Sequence, residues 1–280
     1  MNDVTPDIDE IYDAALEAAE EVLRELGDTL DEPVRNTYLN RALLVLGRKA
    51  RGMFLGFVHL VETDVPTAAF VLLRPAIEIN LLARFLVTDP DVHLELWEAE
   101  ADLELLKWIR EIEADPELVE LAKWPGVPAT FHEEVEARIA ESRKLGLDHG
   151  VKGVSGDPRK NVLPNMHDLA YVHGDLTTRH AYWAGFRPTS THTHASSRGF
   201  LDGGWLDADG DRITFRELRD PARTLSSYRA LATATYASTL TVIAEPLGLE
   251  ILEPAARARD LVVSLPAVTP SEADSENTTG

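Results

Sequence analysis

Hydrophobic residues recur along this chain at intervals of three and four positions, which is the repeat of an amphipathic α-helix. The first such stripe covers residues 7–27 and ends at Gly27, a residue type that commonly terminates helices. Further stripes predict helices over residues 33–61, 63–89, 89–113, 131–146 and 221–248. The pattern therefore predicts a mostly α, bundle-like single domain, with an acidic N-terminal helix over 7–27 and core helices over about 33–245.

The stretches between these helices are rich in Gly, Pro and Asp, which favour turns. Residues 145–165 are expected to form a loop, either a functional lid or a mobile connection. A further helix is expected to begin near Asp175, whose side chain can cap it. The segment GGWLDADGDRITF predicts a minor β-hairpin near residues 205–215. Residues 1–265 are thus expected to form the helical domain, and residues 266–280, which lack an apolar anchor, a disordered tail.

The composition is that of a soluble globular protein, with 44% hydrophobic residues. The absence of cysteine excludes disulfides and thiolate metal ligands. The N-terminus is acidic and shows no signal-peptide pattern. The most apolar region, residues 65–88, contains Arg74, Glu78 and Arg84, which argue for a buried helix rather than a membrane span. We therefore expect a cytoplasmic protein with no membrane partner.

Charge is distributed unevenly along the chain, whose net charge is −21. Residues 1–32 hold twelve acids and one base, which gives −11, whereas residues 33–60 hold five bases and no acid. Either the two segments form neighbouring helices with complementary faces, or the basic helix binds an anion. The long-range field of so acidic a protein repels phosphate, so non-specific DNA binding is not expected.

An arginine and a glutamate lie one helical turn apart in the apolar helix predicted over residues 63–89. Glu78 lies four residues after Arg74, so both side chains can share one helix face. A buried charge is costly unless it is paired, and the spacing therefore predicts an Arg74–Glu78 ion pair inside the core. The pair either fixes helix packing or lines a polar pocket.

Histidine and arginine recur every seven residues later in the chain, at His173, His180, Arg187 and His194. Because seven residues make nearly two helical turns, these side chains would share one face of a helix, with about 20° of drift at each step. Pro188 disfavours helical geometry at Arg187, so a kink or a new helix start is expected there. The stripe is either a polar helix end or the inner face of a site.

The stretch FRPTSTHTHASS, residues 186–197, carries a motif. Arg187 and His192 fit the pattern R-x4-H, and Arg187 and His194 fit R-x6-H. Both patterns resemble the R-x4–6-H motif of HEPN-type helical proteins, many of which are metal-independent ribonucleases of bacterial defence and toxin–antitoxin systems. In addition, LRPAIE within residues 70–86 and the later segment 182–196 resemble a large bacterial family of unknown function, which pairs an LRxxxE helix with a Tyr/Ser/His helix.

The HEPN resemblance implies specific roles. Arg187 would hold the scissile phosphate, and His192 or His194 would act as general acid or base. Cleavage would use the RNA 2′-hydroxyl and need no metal or other cofactor, and the site would form at the interface of a homodimer. RNA or an antitoxin-like protein would then be the partner. The proposed binding residues around this catalytic set are Arg74, Glu78, His180 and Tyr182.

Three alternatives remain open on the sequence. His192 and His194 could bind a metal together with His180, Glu78 or Asp175, although no H-E-x-x-H motif is present. The segment DADGDRITFREL resembles a calcium loop with one residue missing, and a hairpin turn fits it better. The Arg/Glu/His cluster could also be structural, in a non-catalytic helical interaction protein.

Overall fold

The structure, a computed structural model, describes residues 37–61, 69–128, 130–174, 176–186, 206–209, 212–215 and 221–247, and most of these residues are helical. The mostly α prediction is therefore confirmed. The predicted helix over 7–27, the capping residue Asp175 and the predicted tail over 266–280 lie outside the described residues. The α-helices are α1 (Tyr38–Val61), α2 (Phe70–Thr88), α3 (Pro90–Glu113), α4 (Pro116–Leu121), α5 (Phe131–Asp148), α6 (Met166–Tyr171), α7 (Leu176–Ala181) and α8 (Pro221–Ala244).

Two irregular helices complete the helical segments. A π-helix, Tyr182–Phe186, continues directly from α7, and a 3₁₀-helix, Glu245–Leu247, follows α8. The short helix α4 was not predicted from the sequence. Pro116 stands in its first turn, and the carboxylate of Asp115 accepts hydrogen bonds from the backbone N–H groups of Glu117 and Leu118. Capping therefore accounts for α4, which buries none of its side chains.

The backbone divides into two compact units. One unit comprises the described residues up to Asn80 and from His180 onwards, and the other comprises residues 81–179. The division falls inside α2, whose apolar character continues on both sides of it. The predicted domain limits of 1–265 stay a prediction, since both ends lie outside the described residues.

In the first unit, α1 packs against α8. Phe54 of α1 stacks on Tyr236 of α8 with ring centroids 4.6 Å apart, and both side chains are buried. Asn80, at the end of this unit's part of α2, is also buried and donates hydrogen bonds to Ser238 Oγ (3.2 Å) and Thr239 Oγ1 (3.0 Å). The hydroxyl-rich sequence of α8 therefore supplies acceptors to a polar side chain inside the core, where an unpaired amide would be costly.

In the second unit, α3 packs against α5. Buried side chains of α3 recur at helical spacing, and charged residues at the edge of the interface pair across it. Arg138 lies 3.0 Å from Asp102, His132 lies 3.2 Å from Glu113, and Arg110 bonds Glu136. These pairs are partly or largely exposed, so packing of the apolar faces contributes most of the stability.

The connection from α5 to α6 is anchored to the second unit by two charged residues. The guanidinium of Arg143, which is 5% exposed, donates to the carbonyls of Ser155 (2.7 Å), Lys160 (2.8 Å) and Asn161 (3.2 Å). Glu100 Oε2 accepts from the backbone N–H groups of residues 162 and 163 at 2.5 and 3.0 Å. Helix α5 extends to Asp148, two residues beyond its prediction, and the following residues form a loop as predicted, while its role as a lid or a mobile connection stays a prediction.

Two short strands are described in the region where the sequence predicts a hairpin. Strands β1 (Leu206–Asp209) and β2 (Arg212–Phe215) pair antiparallel, with Leu206 opposite Phe215. The predicted Asp-Gly turn includes Gly210, which lies outside the described residues, so the hairpin itself stays a prediction. Among the residues that the structure describes, no helix combines the length and the hydrophobicity needed to cross a membrane.

Candidate functional site

Helix α2 presents Arg74 and Glu78 one turn apart on one face, as their spacing predicts. Arg74 Nε donates a 3.1 Å hydrogen bond to Glu78 Oε1. The ion pair is therefore present, but its burial was overestimated, because 22% and 33% of the two side chains are exposed. The apolar residues of α2 fill its other faces, and the pair lies at the margin of the core. Partial exposure keeps both charges hydrated and accessible to a ligand.

An aromatic residue forms the second contact of Arg74. Its guanidinium carbon lies 5.0 Å from the centroid of the Phe186 ring, within the range of a cation–π interaction. Phe186 in turn stacks on Tyr182, with centroids 5.0 Å apart and an interplanar angle of 16°. Arg74, Glu78, Tyr182 and Phe186 thus form one continuous set of contacts, which we call the Arg74 cluster.

The π-helical turn Tyr182–Phe186 brings these aromatic rings to α2. A π-helix closes i→i+5 hydrogen bonds and has more residues per turn than an α-helix, and such turns occur frequently at functional sites. Gly185 permits the close approach, since a Cβ there would lie 2.6 Å from Ile77 Cδ1 and 2.8 Å from Leu231 Cδ2. The glycine therefore lets the π-turn pack closely against α2 and α8.

The structure does not bring all four predicted binding residues together. His180 is exposed at the end of α7, and no hydrogen bond or ring contact joins it to the described residues of the Arg74 cluster. His173 lies outside any helix, where its ring packs edge-on against Phe85 at 5.1 Å. The α-helical repeat ends at Ala181, and Arg187 and His194 lie outside the described residues, so the shared face of the seven-residue stripe stays a prediction.

The proposed catalytic residues Arg187, His192 and His194 lie outside the described residues. Arg187 directly follows Phe186, the last residue of the π-turn. Sequence reasoning missed Phe186 and Gly185, although an aromatic pair spaced four apart, YWAGF, was a readable signal. The cation–π contact could not be found in this way, since Arg74 and Phe186 are more than a hundred positions apart.

Metal ligands are the remaining chemical question. Within the described ranges, no three His, Asp or Glu side chains are grouped closely enough to hold a metal ion. The candidates His192, His194 and Asp175 are not among those residues, so the metal alternative is not tested. Charge stabilisation by guanidinium is the chemistry that the described cluster can provide.

Fold and cluster together define a class: a mostly helical protein in which an Arg–Glu pair of a core helix contacts an aromatic π-turn. Residues 40–212 match the sequence model of a family of unknown function, DUF5677, and the chain belongs to this family. No curated protein and no solved structure matches the chain significantly. The predicted membership of a family of unknown function is thus confirmed, whereas the HEPN resemblance stays a prediction.

Proposed function

We propose that this protein is a metal-independent ribonuclease with a HEPN-like site, in which Arg187, His192 and His194 carry the chemistry. The observation that supports this proposal is the Arg74 cluster. It anchors the π-turn whose last residue, Phe186, immediately precedes the R-x4–6-H motif. Arg74, Glu78 and Tyr182 are then positioning residues, which hold the start of the motif through the ring of Phe186.

The proposed reaction needs two proton transfers and one site for negative charge. The RNA 2′-hydroxyl attacks the phosphorus as one histidine removes its proton, and the bond to the 5′-oxygen breaks as that oxygen receives a proton. The products are a 2′,3′-cyclic phosphate and a free 5′-hydroxyl. His192 and His194 suit the proton transfers because the pKa of histidine is ordinarily near neutrality. Arg187 would stabilise the charge that develops on the phosphate oxygens.

Two variants test this proposal. Purified protein is incubated with a mixed RNA pool at several protein concentrations, with and without EDTA. Arg187→Ala and the double change His192→Ala, His194→Ala should abolish cleavage and leave the melting temperature nearly unchanged, because such contacts stabilise the transition state rather than the fold. Cleavage that EDTA abolishes, or that survives both changes, contradicts the proposal.

The positioning role of the Arg74 cluster has a separate readout. Arg74→Gln removes the ion pair and the cation–π contact while keeping a polar side chain of similar length. We expect kcat to fall roughly tenfold to hundredfold through misplacement of the motif, with little change in KM and an unchanged pH profile. Arg110→Gln, which removes an exposed ion pair with Glu136, is the control and should leave kcat unaltered.

A second function has an observation in its favour. The Arg74 cluster satisfies its charges within the chain, and the net charge of −21 opposes binding of RNA. A non-catalytic helical interaction protein with a structural cluster fits both facts. It predicts that substitutions of Arg74 or Glu78 lower stability and that the purified protein cleaves no RNA. Neighbouring genes for a nucleotidyltransferase-like antitoxin or for defence proteins would favour the nuclease.

A further inference from the structure

One face of α1 is basic in the first half of the helix. Helix α1 contains four Arg or Lys residues and no Asp or Glu. Arg41, Arg48 and Lys49 are exposed, and their spacing of seven and eight places them on one helix face. The opposite face is buried in the core of the first unit, with Leu43, Ala50, Phe54 and Phe57 among its residues. The exposed residues of this stripe, which we call the basic face, are Tyr38, Arg41, Val45, Arg48, Lys49, Gly52 and His59.

The three cations of the basic face are not neutralised by described carboxylates. None of them forms an ion pair with any described residue, although Arg and Lys residues of α3 and α5 pair with neighbouring carboxylates. At physiological ionic strength a charge acts mainly within about 8 Å. The cations therefore attract an anionic group locally, whereas the net charge of −21 opposes it at longer range.

An aromatic side chain lies on the same face. Tyr38 is 45% exposed and precedes Arg41 by three residues, which puts the two side chains next to each other. Cations that contact phosphates together with aromatic rings that stack on bases are the combination that binds single-stranded nucleic acid. An acidic protein segment would pair with the cations but offers no base to stack on an aromatic ring.

We propose that the basic face of α1 binds the backbone of single-stranded RNA, through phosphate contacts of Arg41, Arg48 and Lys49 and base stacking on Tyr38. This inference rests on the proposed ribonuclease function and names the surface that would hold the substrate strand. From Tyr38 to Lys49 the face spans about three turns of helix, roughly 17 Å at 1.5 Å per residue. That length accommodates a strand of several nucleotides.

The test measures binding separately from cleavage. A fluorescein-labelled 2′-O-methyl oligouridylate cannot be cleaved through its 2′-hydroxyl, and fluorescence anisotropy gives its Kd over a range of salt concentrations. The test variant carries Arg41→Gln, Arg48→Gln and Lys49→Gln. The matched control carries Lys144→Gln, Lys152→Gln and Arg159→Gln, three exposed cations of the second unit, and makes the same change in net charge.

Three lost phosphate contacts should reduce the slope of log K against log salt by about 2 for a single strand, which weakens binding roughly a hundredfold at 0.1 M salt. The control should bind like the unmodified protein. Tyr38→Leu should weaken binding roughly tenfold and leave the salt slope unchanged, because stacking releases no counterions. Equal weakening in the control, or unchanged binding by the test variant, overturns the proposal.

Cleavage of ordinary RNA distinguishes this inference from the proposed function. If the protein cleaves RNA and the test variant keeps its KM, RNA does not bind at the basic face and the nuclease proposal stands. If the oligonucleotide binds through the basic face and no RNA is cleaved, the surface stands and the nuclease proposal fails. Binding of a peptide with the sequence of residues 1–32, in the absence of any RNA binding, overturns the commitment to RNA.

Discussion

Partial exposure reduces the contribution of Glu78 to the free energy of unfolding. Removing one partner of a buried ion pair costs about 3–5 kcal/mol, whereas an exposed pair at this spacing contributes about 0.3–0.5 kcal/mol. With a third of its side chain exposed, Glu78 lies nearer the second case. We expect Glu78→Ala to cost about 0.5–1 kcal/mol, a melting-temperature shift of roughly 1–3 °C.

Differential scanning calorimetry checks this prediction. Glu104→Ala, which removes the more exposed partner of Lys107 on α3, is the control and should shift the melting temperature by less than Glu78→Ala. A loss of several kcal/mol for Glu78→Ala would mean that the pair supports the core as strongly as the sequence first predicted.

His93 connects pH to stability. Its ring is 4% exposed and stacks on Phe85 at 3.7 Å, and because a carbonyl oxygen only accepts, its Nδ1–H donates to Phe85 O at 2.5 Å. Burial lowers the pKa of His93 below 6.5, against smaller raising effects of the Phe85 carbonyl and Asp89 and a further lowering by His173. The unfolded chain therefore binds a proton more readily near and below pH 6.5.

Lowering the pH should reduce the stability of the fold through His93. The contribution of neutral His93 to stability is fully present above about pH 6.5 and is lost as pH falls through its lowered folded-state pKa. Urea unfolding between pH 5 and 8 should show this loss, and His93→Gln should remove it while the exposed His149→Gln keeps it. Equal pH dependence in the unmodified protein and His93→Gln would contradict the assignment.

At the scale of elements, periodicity located most of the helices. The bounds of α3 agree with the prediction to within one residue. Pro90 marks the start of this helix, and its hydrophobic residues recur at the spacing of an ordinary amphipathic helix. Three elements were not predicted. Helices α4 and α6 are short and are capped by the side chains of Asp115 and Asn165, and the π-turn departs from the α-helical repeat on which the prediction depends.

The loop between α5 and α6 provides a prediction at this scale. Arg143 supplies donors to three carbonyls from inside the second unit, so Arg143→Met would leave those acceptors without its guanidinium. Hydrogen bonds to charged groups are worth about 1.5–3 kcal/mol, and we expect a total loss of about 3 kcal/mol. Residues 149–165 should also become sensitive to limited proteolysis.

Arg138→Met is the matched control for that experiment. Arg138 lies on the same helix, is largely exposed and pairs with Asp102 among the described residues, so its loss should cost less than about 1 kcal/mol and leave the loop resistant. If both variants lose stability equally, Arg143 does not anchor the loop.

At the scale of the whole molecule, the sequence predicted helical content and left the arrangement open. The hydrophobic pattern of α2 indicates that its residues are buried but does not indicate which elements bury them. The boundary between the two units at Asn80 therefore could not be predicted from the sequence. The Arg74 cluster was half predicted for the same reason. Arg74 and Glu78 are neighbours in sequence, and the Phe186 contact depends on tertiary packing.

The HEPN resemblance implies a homodimer, which is a prediction about the whole molecule. Light scattering should give twice the 30.9 kDa of one chain at concentrations where RNA is cleaved. Specific activity should fall on dilution, because a site shared between two copies is lost when they dissociate. Full specific activity in a sample with the mass of one chain would contradict a shared site. Arg187→Ala should retain the dimer mass, since its expected role is in chemistry.

The π-turn changes how the site responds to a change in chain length. An i→i+5 turn fits about one more residue into the same rise than an α-turn does, so Tyr182–Phe186 behaves as a one-residue insertion into the end of α7. Deleting one residue from this turn would restore an ordinary α-turn and leave the direction of the following chain nearly unchanged, whereas a deletion inside α1 would rotate the residues after it by about 100°. The π-turn should therefore tolerate the loss of a residue that a regular α-helix would not, which the melting temperatures of the two deletion variants would show.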